Sequence, residues 1–203
     1  DQNPLAEGVQ YADKFYNIST IDTQGVFKAA LDFTPEGIMT LATDLPMRSV
    51  AYTAEKLNLP GISIETALKA TDKVKMMKAF KAHNVASPWF YCVESENNLV
   101  SIYDRIIYPC IVKPVDNAGS RGVTLIHKEE QLREGYLYSK AFSRSGQVII
   151  EEFLQGDEVS VETITINSET YVLTITDKLT TGAPHFVEIG HSQPTQLSND
   201  AKV

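Results

Sequence analysis

The 203-residue chain is 43% apolar and 22% charged, with a formal net charge of −8. These values fit a soluble globular protein of one or two domains and offer no basic face to a nucleic acid. No apolar run approaches the ~18 residues of a membrane span, while a few focused lysines can still serve a small anionic ligand on an acidic protein.

In chain order, the opening DQNP reads as the end of a strand, and DQNPLAEG has no signal-peptide character. Cytoplasm is the expected location. FYNIS (15–19) is predicted as a short strand, DTQGVFKAALDF (22–33) as a helix with Asp22 near its cap, and GIMTLAT (37–43) as a second strand. A helix then runs from Pro46 to about Asn58. Met47, Val50, Ala51, Ala54 and Leu57 give it an apolar stripe, and Leu59-Pro60-Gly61 stops it. Strands alternating with helices predict a parallel α/β layer. SIETALKA leads into TDKVKMMKAFKAHNV, where Val74, Met77 and Phe80 recur every three residues.

PWFYCV (88–93), YPCIVKP and GVTLI are predicted strands, and 128–142 a helix weakened by Gly135. The texture then turns to β: QVIIEEFL, DEVSVETITI, YVLTIT and HFVEIG, with Asn167-Ser168 suggesting a hairpin. The closing LSNDAKV reads as the first turn of a helix. Cys92 and Cys110 lie in apolar strand contexts and match no metal or redox spacing, so they read as buried free thiols.

The chemistry concentrates in IVKPVDNAGSRGVTLI (111–126). Pro114 restricts Lys113 to extended backbone, and alternation puts Lys113 and Ile111 on one sheet face. An ammonium on a half-buried face needs an anionic partner. Gly119 and Gly122 permit positive φ and close approach, and successive N–H groups in such loops form anion-binding concavities. The segment matches neither G-x-x-x-x-G-K-[ST] nor G-x-G-x-x-G; the plainer reading is a flexible hairpin with a surface lysine. In VIIEEFLQGDEVSVETI (148–164), a strand reaches Glu151-Glu152-Phe153-Leu154, turns, and continues with Glu158, Ser160 and Glu162 on one face. A strand leaving a sheet in this way can offer a purine an apolar slot and a polar edge. A half-exposed strand with a polar outer face is the alternative.

Lys73 in TDKVKMMKAFKAHNVASP, Lys113 in IVKPVDNAGSRGV, and IIEEFLQGDEVSVE occur in the order and spacing of the ATP-grasp superfamily, which the chain resembles over residues 72 to about 191. TITDKLTTGAPHFVEIGHSQP (174–194) is most similar to carboxylate–amine ligases, including L-amino-acid ligases and carbamoyl-phosphate-synthase-like proteins. The resemblance implies an α/β chain. Residues 1–68 would be the remainder of a pre-ATP-grasp parallel α/β domain. Residues 69–203 would be an ATP-grasp domain, with a lid subdomain at about 86–152 and an incomplete C-terminal subdomain at 153–203.

The resemblance also implies roles. Lys73 and Lys113 would contact ATP phosphates, and Ala118, Gly119, Ser120, Arg121 and Gly122 would form a mobile phosphate lid. Glu151, Glu152 and Leu154 would line the adenine slot, and Glu158 would hold the ribose. Lys178, Glu188 and His191 would be catalytic or lie near the acceptor. On a regular strand Glu188 and His191 point to opposite faces, unless Gly190 bulges. Mg²⁺ would be held by carboxylates and an asparagine on strands beyond Val203, so a chain cut there is expected not to turn over ATP alone. The implied partners are ATP, a small carboxylate and an amine. No nucleic acid or membrane is expected, and an exposed sheet edge favours a homodimer. A bicarbonate-using enzyme of the biotin-carboxylase or carbamoyl-phosphate-synthase type, or a nucleotide-binding module without catalysis, are the alternatives. The remaining histidines have plainer readings: His83 late in a helix, His127 at a strand end, and His185 on the surface, with a site-lining place as its alternative.

Overall fold

A computed structural model of the chain describes residues 1–198. The helical turn expected at the C-terminus falls mostly on 199–203, outside the described residues. The chain forms two compact units, Asp1–Ser87 and Pro88–Val203.

In the first unit, α1 (Thr23–Phe33) starts where Asp22 Oδ1 accepts the Gly25 N–H at 3.0 Å, as its sequence predicts. α2 (Met47–Leu57) ends at Asn58 in the left-handed region. The two helices pack with the Phe27 and Tyr52 rings edge to face, 5.7 Å apart. α3 (Ile64–Thr71) is capped by Ser63, and α4 (Lys73–Ala82) by Asp72. Small residues, Ala30, Ala51, Ala54 and Ala67, line the contacts, with Val74 and Met77 from α4 also buried.

The strands predicted at 15–19 and 37–43 do not form among the described residues. Both segments are locally strand-like. A strand exists only through a neighbour that takes its N–H and C=O groups, and neither segment is in a ladder; Ile18 N–H, for example, goes to Asp1 O and Tyr16 O. Met39 and Leu41 lie exposed in the second segment. Among the described residues the predicted parallel layer is therefore absent, and the two sheets they form are antiparallel.

In the second unit, β1 (Phe90–Val93), β2 (Cys110–Pro114), β3 (Thr124–Ile126) and β4 (Val148–Glu152) form a four-stranded sheet in the order β1-β4-β2-β3. One face carries Val93, Cys110, Val112, Ile126, Val148 and Ile150, which pack on Leu99 of α5 (Glu96–Val100) and on Leu132 and Tyr136 of α6 (Glu129–Phe142). Gly135, expected to weaken α6, instead lets it sit close to the sheet: a Cβ there would lie 2.5 Å from Ile126 Cδ1. A second sheet, in the order β5-β6-β7, is built from β5 (Val159–Ile166), β6 (Glu169–Thr180) and β7 (Glu188–Ser192). The predicted hairpin at Asn167-Ser168 joins β5 to β6, with both residues at positive φ. Among the described residues no helix is long and apolar enough to cross a membrane.

Candidate functional site

The second face of the four-stranded sheet carries Lys113 and Glu151 among apolar residues. Register sets Cys92, Ile149 and Lys113 in one row, and Phe90, Glu151, Ile111 and Leu125 in the next. Lys113 and Glu151 sit diagonally on this face, and the Lys113 ammonium donates to Glu151 Oε1. Their side chains are only 23% and 12% exposed. The anionic partner that a half-buried ammonium requires is therefore already present in the protein.

Glu152 points to the opposite face, where Oε2 accepts the Trp89 N–H at 3.4 Å. Its own N–H donates to Trp89 O. Leu154, just past the end of β4, is 63% exposed. Neighbouring Phe153 stacks on Phe186 at 5.8 Å.

Lys113-Pro114 feeds the glycine loop. Gly119, Ser120 and Gly122 have φ of 67°, 55° and 80°. Ala118 N–H donates to Asn117 Oδ1 and Val123 N–H to Ser120 O, and the N–H groups of Gly119, Ser120 and Arg121 lie between these two bonds. Side-chain hydrogen bonds anchor this loop at several points. Asp116 accepts from the Ser143 hydroxyl, Arg144 N–H and Ser145 N–H, at 3.1, 3.1 and 2.8 Å. Asn117 Nδ2 donates to Phe142 O at 3.1 Å, and Ser120 Oγ to Phe186 O at 2.8 Å. Partial burial pushes the Asp116 pKa up, but hydrogen bonds from Ser145, Arg144 and Ser143 outweigh it and hold the carboxyl below its ordinary range.

The second sheet assembles another cluster. Lys178 N–H donates to Glu158 O, and Lys178 pairs with His191, so Lys178 of β6 and His191 of β7 form one row with Glu158, the residue just before β5. Regular alternation would turn Glu188 away from His191. The register instead matches Leu179 with Gly190 and Thr180 with Glu188, leaving Ile189 as the extra residue. The bulge lies at Ile189 rather than Gly190. It brings Glu188 Oε1 to 3.1 Å from His191 Nε2 and Glu188 Oε2 to 3.4 Å from Lys178 Nζ. Lys178 also donates to Glu158 Oε1. Partial burial works against its charge, but the hydrogen bonds and charges of Glu158 and Glu188 prevail and raise its pKa.

Lys73 opens α4 in the first unit, just after its capping Asp72. The other predicted site residues all lie in the second unit. Asp116 as an anchor, the Ser120–Phe186 bond and the contact between His185 Nδ1 and Val123 O at 2.8 Å are not among the expectations from sequence. Asp116 had a detectable signal, since an Asx residue ahead of a glycine loop commonly anchors it. The other two span more than 60 residues and had none.

Residues 70–203 match the family model described as the ATP-grasp domain. The chain belongs to the ATP-grasp family. It is 33% identical over 200 residues to alanine–anticapsin ligase of Bacillus subtilis, covering 87% of this chain and 42% of that protein. The crystal structure of L-amino acid ligase from Bacillus licheniformis superposes with a TM-score of 0.72 at 26% identity, covering 89% of this chain and 42% of that one. N5-carboxyaminoimidazole synthetase from Staphylococcus aureus, crystallised with ADP, shares the fold at a TM-score of 0.75 and 17% identity, covering 96% and 50%. The chain thus spans about two fifths of the length of the ligases it matches. The resemblance read from Lys73, Lys113 and the EEFL strand and the mixed α/β ATP-grasp fold both hold.

Proposed function

We propose that this chain carries the nucleotide-binding part of an ATP-dependent carboxylate–amine ligase. The observation that supports it best is the Lys113–Glu151 pair on the sheet face turned away from α5 and α6, next to a loop with three residues at positive φ. Lys113 binds phosphates in this reading, and the N–H groups from Ala118 to Gly122 cradle them. Glu151 and Leu154 line the adenine slot. Glu152 contributes through its backbone, since its carboxylate is engaged with Trp89. Glu158 takes the ribose hydroxyls, with Lys178 holding it in place. Glu188 and His191 face the acceptor.

The reaction proposed for a protein of the ligases' full length has two steps. A substrate carboxylate oxygen attacks the γ-phosphorus of ATP, forming an acyl phosphate and releasing ADP. An amine nitrogen then attacks the acyl carbon, the C–O bond to phosphate breaks, and the nitrogen loses a proton. The protein's part is positioning and charge neutralisation. Mg²⁺ belongs to the same proposal, as the ion that would neutralise phosphate charge. Among the described residues no group of three or more His, Cys, Asp and Glu side chains converges to hold a metal, so no step is assigned to one.

Calorimetric titration of this chain with ATP and AMP tests the binding half. Lys113→Ala is expected to weaken ATP by about 10- to 100-fold, the equivalent of a charge-assisted contact, and AMP by less. Equal losses for the two would remove Lys113 from the phosphates. ATP-dependent amide formation from amino acids, assayed on a protein of the ligases' full length, tests the chemistry.

A further inference from the structure

The turn between β6 and β7 (181–187) has no role in the scheme above, yet it reaches the glycine loop at several points. β3 is an edge strand, and its outer backbone groups need partners. Pro184 O accepts the Leu125 N–H at 3.1 Å. His185 Nδ1 lies 2.8 Å from Val123 O, and because a carbonyl only accepts, Nδ1 carries the proton. Ser120 Oγ donates to Phe186 O at 2.8 Å. The His185 ring stacks on Tyr138 of α6 at 5.6 Å, and Tyr138 meets Phe142 at 5.1 Å. Phe142 in turn holds Asn117 through its carbonyl and fills the space a Cβ on Gly122 would need.

We propose that His185 and Ser120 are positioning residues for the phosphate-binding loop, which the β6–β7 turn holds in shape from outside the sheet. The proposal rests on reading 118–122 as that loop. A glycine-rich segment has many unbound conformations, and ordering it on binding costs entropy. Fixing Ser120 in its middle and Val123 at its end lowers that cost, so the Ser120 hydroxyl and the His185 ring act on phosphate affinity without themselves touching the nucleotide. The same turn leads within two residues from Phe186 to Glu188, so the acceptor-side cluster and the loop share one support.

The test is calorimetric titration of the chain with ATP and AMP, together with amide hydrogen exchange. His185→Phe keeps a ring against Tyr138 and removes the donor, His185→Asn restores a donor near the Nδ1 position, and Ser120→Ala removes the hydroxyl. His185→Phe and Ser120→Ala are each expected to weaken ATP binding about three- to tenfold, the worth of one neutral hydrogen bond. AMP binding should change less, and His185→Asn should recover most of the loss. Exchange should rise over 117–123 and stay unchanged over 148–152. Wild-type ATP affinity and loop exchange in both His185→Phe and Ser120→Ala, or equal losses for AMP and ATP, would overturn the positioning role. If His185→Phe fails to fold, Ser120→Ala decides by the same criteria. A wild-type chain that binds no ATP would overturn the nucleotide-site reading itself, a result distinct from unaltered variants on a chain that binds.

Discussion

Lys113 on β2 and Glu151 on β4 are ion-paired diagonally across the sheet, on the face turned away from α5 and α6. The pair keeps a cation on an otherwise apolar face. In the proposed site, a phosphate would compete with this carboxylate for the same ammonium.

That competition has a stability signature. Lys113→Ala leaves a carboxylate only 12% exposed without its partner. Orphaning such a group costs about 1–3 kcal/mol. Replacing both members, Lys113→Met with Glu151→Gln, removes both charges and should restore stability to within about 1 kcal/mol of wild type. Urea unfolding of the two variants measures the difference. A double variant no more stable than the single would show that the pair does not couple.

Two glycines of one loop should respond differently to alanine. Gly119 has φ of 67° and open space around its Cβ position, so Gly119→Ala should cost about 1–2 kcal/mol of backbone strain alone. At Gly122 φ is 80°, and a Cβ would lie 2.8 Å from both Phe142 Cβ and Pro114 Cγ. Overpacking adds about 1–3 kcal/mol to the strain there. Denaturant midpoints give the order, and an equal loss at the two positions would contradict the packing of α6 on the loop.

Asp116 should shape the acid limb of stability. Its folded pKa is depressed, because hydrogen bonds from Ser145, Arg144 and Ser143 outweigh the effect of its burial. Such a group contributes stability above its unfolded value, about 3.9, and loses it as pH falls through the folded value. Asp116→Asn should therefore be less stable than wild type near pH 7, with the gap narrowing below about pH 4. Unfolding free energies from pH 2 to 7 provide the check, and a gap independent of pH would show that the carboxylate charge is not what anchors the loop.

The cysteines should differ as reporters. Among the described residues neither is in a disulfide. Cys110 is buried in the core, and that burial pushes its pKa up to about 12, which leaves almost no thiolate at pH 8. Cys92 is partly exposed and shares the row of Lys113 and Ile149. Iodoacetamide at pH 8 should label Cys92 at least about a hundredfold faster than Cys110, and ATP should slow the Cys92 reaction if nucleotide covers this face. Peptide mass spectrometry over time reads both rates, and faster labelling of Cys110 would contradict the packing of the core.

Local chemistry carried much of this protein's character in the sequence alone. Asp22 announced its helix by capping chemistry, Asn167-Ser168 its hairpin by turn preference, and Lys113-Pro114 with the following glycines its loop by backbone restriction. The order of Lys73, Lys113 and the EEFL strand was enough to resemble the ATP-grasp family, to which the chain belongs. Tertiary structure decided what depends on partners distant in sequence. FYNIS and GIMTLAT have strand-like residues but no ladder, because the hydrogen bonds of a strand belong to its neighbour. Glu188 reaches His191 only because Ile189 bulges against β6, a register choice invisible to alternation. His185 and Ser120 hold the loop through bonds that span 62 and 66 residues, and only the folded chain brings those ends together.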